Sequence, residues 1–159
     1  MRLTLLVCCC CLLAESRVLA EETALTGLDS INVVVEDLDD DALARGLSRE
    51  TIITDVELQL RMAGLTVLPS VELPYLYVRA SVLKRTDLDH FVWKVEANLK
   101  EIVYVPRARV YSYATVWYST GKYGICPGNE LEETVRKEVR DRVNQFLNAW
   151  LEVNPLKTR

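Results

Sequence analysis

Apolar and polar residues alternate in three stretches of this chain. In Tyr75 to Leu83, Leu76, Val78, Ala80 and Val82 share one side, and Tyr75, Tyr77, Arg79 and Ser81 the other. In Phe91 to Val105, Phe91, Trp93, Val95, Ala97 and Leu99 face one way, and Lys94, Glu96, Asn98 and Lys100 the other. In Arg109 to Tyr118, Val110, Ala114 and Val116 oppose Tyr111, Tyr113 and Trp117. A period of two with one polar face predicts strands of a one-sided antiparallel sheet. The links "KRTDLDH" and "PRA" are short enough for hairpins. An earlier strand is predicted over Ile31 to Leu38, where Ile31, Val33 and Val35 share a face.

Two segments follow the helical period instead. Ser48 can cap a helix carrying Ile52, Ile53, Val56, Leu60 and Ala63, with Gly64 as its stop. Leu47 and Ile52 stand at the spacing of a hydrophobic staple. The last helix carries Leu131, Val135, Val139, Val143, Phe146, Leu147 and Trp150 on one stripe. Asn129 and Glu132 predict a capping box, and Asn154-Pro155 a stop. Glu132–Arg136, Glu133–Lys137 and Glu138–Arg142 are predicted as pairs on the wet face.

The expected fold is α+β, in the order βαβββα. One mainly antiparallel four-stranded sheet carries two amphipathic helices on one face. A right-handed crossover makes the first strand parallel to the second. It then lies at an edge, beside the strand of Tyr75 or that of Tyr111.

The first twenty residues read differently. Arg2, an apolar run from Leu3 to Ala14 and the exit "ESRVLA" match a secretory signal, with cleavage expected after Ala20. The run is too short to span a bilayer. Cys8 to Cys11 fall inside it, and Val7 before Cys8 disfavours a lipid anchor. The expected layout is a signal over 1–20, a short mature leader over 21–30, a single domain over 31–155 and a tail over 156–159. Cleavage would leave Cys126 as a lone free thiol, half-buried near a turn.

Charge narrows the partners. The net charge is −4, and about −5 without the signal. The basic residues are scattered along the sequence, which argues against nucleic acid or an anionic membrane as main partner.

Candidate chemistry is sparse. Glu36, Asp37, Asp39, Asp40 and Asp41 form an acidic loop, but Ala42 and Ser48 occupy the positions where a calcium loop needs glycine and a bidentate acid. His90 stands beside Asp87 and Asp89 without a nucleophile motif. Gly121 and Gly124 in "STGKYG" fit a hairpin turn better than a phosphate loop. No cofactor fingerprint or metal spacing is present. The surviving feature is aromatic. Tyr75, Tyr77, Tyr111, Tyr113 and Trp117, with Arg79, Lys94 and Arg109, are expected on the sheet face away from the helices, a composition suited to recognition.

"DVELQLRMAGL", the strand entry "PYLYV" and a terminal helix ending in "NP" resemble a family of small exported bacterial proteins of unknown function. The element order also resembles the α/β domains of periplasmic envelope-accessory proteins. The resemblance implies a shared fold and carries no activity to any residue. The expectation is a periplasmic or secreted, non-enzymatic binding or envelope-accessory domain, whose partner is an envelope protein or small ligand. The alternatives are an assembly subunit that pairs an edge strand, or a small hydrolase-type enzyme using His90 with Asp87 or Asp89.

Overall fold

A computed structural model of the chain describes residues 24–70, 73–86 and 88–155. The expected signal, its cleavage point after Ala20, the tail over 156–159 and Asp87 lie outside them. The elements are β1 (Ser30–Val35), α1 (Asp40–Leu43), α2 (Arg49–Ala63), β2 (Thr66–Val67), β3 (Tyr75–Lys84), β4 (His90–Val105), β5 (Val110–Tyr118), β6 (Lys122–Pro127) and α3 (Leu131–Val153). The fold is α+β, but among the described residues the sheet has six strands and is mixed, not four and mainly antiparallel. Its order is β2-β1-β3-β4-β5, with β6 also pairing β4. β1 runs parallel to β3, in register Val33 to Leu76, as the crossover requires. It is not at the edge, because β2 pairs parallel outside it.

The alternation builds the core. Leu76, Val78, Ala80 and Val82 on β3, and Phe91, Trp93, Val95, Ala97 and Leu99 on β4, are buried under the helices. Ile52, Val56 and Leu60 from α2 meet them, with the whole predicted stripe of α3 from Leu131 to Trp150. Ser48 caps α2 by accepting from the Thr51 N–H at 3.4 Å, and Gly64 ends it at φ 102°. Segment 24–29, expected as leader, packs as part of the domain. Leu25 is fully buried, and the Trp150 indole N–H donates to the Leu28 carbonyl at 2.7 Å.

Three local expectations fail for physical reasons. The stretch 119–121 is not a hairpin turn. The chain kinks there and resumes pairing along β4 as β6, with Trp93 opposite Gly124. Glycine in a strand marks a close approach: a Cβ on Gly124 would lie 2.5 Å from the Trp93 ring. Gly124→Ala should therefore cost about 1–3 kcal/mol of overpacking. Urea unfolding measures it, and a variant as stable as the parent would show the indole free to move aside. The Asn129–Glu132 box does not form either. Gly128–Glu130 is a 3₁₀ turn, Glu130 precedes the helix without a side-chain cap, and Glu132 pairs with Arg136 at 3.2 Å.

The third failure concerns Glu138 and Arg142, which are not on a wet face. Only 5% and 7% exposed, they lie against the kink. Glu138 pairs with Lys122 at 3.0 Å, and Arg142 donates to the Thr120 carbonyl. Lys137 pairs with Asp141 at 3.0 Å, in place of the expected partner Glu133.

Candidate functional site

The sheet has one covered face and one open one. Register fixes the open face row by row. Leu83, Val92 and Ile125 stand side by side across β3, β4 and β6, followed by Ser81, Lys94 and Tyr123. Arg79 and Glu96 come next, then Tyr77, Asn98 and Tyr118, then Tyr75, Lys100 and Thr115. Beyond β3 the face continues on the β4–β5 hairpin, with Ile102 opposite Tyr113 and Tyr104 opposite Tyr111.

Five of the six predicted surface residues lie on this face: Tyr75, Tyr77, Arg79, Tyr111 and Tyr113. Trp117 does not. Register slips by one residue between Leu99 and Lys100, so that Val116 is extra and Trp117 stands opposite Leu99. A bulge flips every later side chain to the other face. Trp117 is 6% exposed and meets Phe146 of α3 edge-on, with ring centroids 5.2 Å apart. Arg109 also departs from the expected strand. It sits in the turn at φ 56°, its N–H donating to the Val105 carbonyl at 2.9 Å.

The middle of the open face is polar and internally paired. Arg79 meets Glu36 at 2.8 Å, and Lys94 meets Glu96 at 2.6 Å. Lys100 donates to the Thr115 hydroxyl at 2.8 Å and lies 6.0 Å from the Tyr77 ring centroid. Burial, with the Glu36 carboxylate close by, pushes the Tyr77 phenol up. Both ends of the face are apolar. At one end, Ser81, Leu83, Val92, Lys94 and Tyr123 help line a shallow depression of about 410 Å³. At the other, the Tyr104 and Tyr111 rings lie 5.3 Å apart, and Tyr113 is 77% exposed.

Sequence reasoning did not single out Leu83, Val92, Ile102, Tyr104, Tyr118, Tyr123 or Ile125. The signal for β4 was parity: Val92, Ile102 and Tyr104 share it with Lys94 and Lys100. Tyr123 and Ile125 are hidden in the sequence because the start of β6 overlaps the turn-like stretch "STGKYG".

The remaining candidates resolve into structural roles. Asp39 and Asp41 accept from the Val82 and Lys84 backbone N–H groups, each at 2.9 Å. β1 stops pairing at Val78, so these carboxylates replace the missing neighbour along the β3 edge. Two acids of the loop are therefore an edge cap, while Asp37 and Asp40 beside them are exposed. Asp89 is ion-paired with Arg45, whose guanidinium lies 4.9 Å from the Phe91 ring centroid, and the buried His90 Nδ1 has no hydrogen-bond partner among the described residues. Cys126 is buried opposite Phe91 and forms no disulfide among the described residues. Burial pushes its thiol up, away from the reactive thiolate. No cluster of three metal-ligating side chains occurs among the described residues, and no helix there is long and apolar enough to cross a membrane.

No family model matches the chain, and no curated protein does. A crystal structure of a minor lipoprotein from Acinetobacter baumannii is similar at 11% identity, over 77% of this chain and 90% of that one, with a TM-score of 0.37.

Proposed function

We propose that this chain is an exported domain that binds a partner protein or small ligand through the open face of its sheet. One observation carries the reading. Exposed apolar and aromatic rows flank a central strip whose charges are already paired with each other. Such a strip gives orientation while the flanking rows supply apolar area, the division of labour found in interfaces. The signal-like first twenty residues and the likeness to small exported proteins support export. Edge-strand pairing is a second reading, favoured by β5, which has no described strand along its outer edge.

The test is a photo-activated cross-linker placed at Tyr113, at Tyr123 or at Leu58, an exposed position on α2. In the intact producing cell, discrete adducts are expected from the two sheet positions and not from Leu58. Equal patterns from all three would count against the open face.

A further inference from the structure

β3 ends its pairing with β4 at Lys100. From there β4 and β5 continue together as a two-stranded arm, Glu101 to Val105 against Val110 to Ala114. The arm runs about 17 Å past β3, at about 3.3 Å per residue. It carries apolar side chains on both faces, with Glu101 and Ser112 among those of the second. Ile102, Tyr104, Tyr111 and Tyr113 are exposed on one, and Val110 is exposed beside half-buried Val103 and Val105 on the other. Its charge is opposite to that of the chain. Arg107 and Arg109 stand against the single acid Glu101, with Lys100 at the arm's base opposite Tyr75, in a protein of net charge −4. Arg107 and Arg109 are exposed in the tip turn, with no ion pair to either among the described residues.

We infer that this arm docks on an anionic lipid surface. A protein laid on the arm would cover one face, and a strand added to its edge would leave both faces wet. A lipid interface takes up both faces and the tip together. Tyrosine rings favour headgroup depth, and basic side chains are attracted to anionic lipid. Open strand edges cannot enter hydrocarbon, so the arm stays in the hydrated headgroup layer. The scatter of basic residues along the sequence hid this surface, because only the pairing of β4 with β5 carries Arg107 and Arg109 out to the tip of an arm. The inference rests on the binding reading only where Tyr111 and Tyr113 belong to both surfaces.

The test uses protein recovered from the exporting cell, in whatever processed form it takes there. The probes are phosphatidylcholine vesicles with and without phosphatidylglycerol, at low and high salt. Sedimentation with the anionic vesicles is expected, weakening with salt. The Arg107→Gln/Arg109→Gln variant should partition about thirtyfold less, at about 1 kcal/mol per basic residue. Tyr111→Ser/Tyr113→Ser should partition less as well. Unchanged thermal midpoints in both variants exclude misfolding as the cause. Equal binding to neutral vesicles, or anionic binding that the arm variants leave intact, would overturn the inference. So would absent vesicle binding with a protein adduct from Tyr113, an outcome that leaves the binding reading standing. Adducts from Tyr123, at the far end of the face, test that reading without the arm.

Discussion

Trp117→Ala should destabilise the protein by about 3–5 kcal/mol, while Tyr113→Ala changes stability by no more than about 0.5 kcal/mol. The two residues lie four apart on one strand and look equivalent by alternation. The bulge at Val116 separates them. Trp117 is buried between Leu99 and the Phe146 ring, and its removal leaves a void under α3 that the rigid sheet cannot close. Tyr113 is 77% exposed and loses little packing when truncated. Urea unfolding of both variants makes the comparison. Similar midpoints would mean that Trp117 belongs to the open face and that the described register is wrong. The same pair bears on function, since Tyr113→Ala should weaken partner capture in a protein that remains folded.

Glu138→Ala should cost about 3–5 kcal/mol, far more than an exposed helix substitution. Its carboxylate is nearly all buried, near the Arg142 guanidinium and within 3.0 Å of Lys122. Removing it leaves Arg142 as a buried cation with the Thr120 carbonyl as its described acceptor. Replacing both residues, as Glu138→Met/Arg142→Met, should recover most of the loss, because buried ion pairs add little over well-packed apolar side chains. Chemical denaturation of the single and double variants reads this directly. A single variant within about 0.5 kcal/mol of the parent would place these groups in water.

These predictions mark where the sequence stops being legible. The period-two runs placed β3 and β4 with their inward faces correct, because a strand with one buried face cannot slip by one residue. The α3 stripe was legible for the same reason at the helical period, since every residue on it is buried. Ser48 and Gly64 were legible because capping is chemistry between near neighbours. Glu138 and Arg142 were not. Their pairing at i and i+4 is the same on a wet or a buried face, and only the kink at 119–121 decides which.

By itself, the sequence determined the α+β class, the inward sides of β3 and β4, both long helices and the parallel placement of β1. Each follows from periodicity, local capping or chain handedness. The tertiary structure alone decided the number of strands, the burial of Trp117, the conversion of Asp39 and Asp41 into an edge cap, and the placing of Arg107 and Arg109 at the tip of the arm. Each depends on which backbone lies beside which. A single extra residue, Val116, reverses a face, and β3, beginning at Tyr75 opposite Lys100, leaves β4 and β5 to run on as a pair.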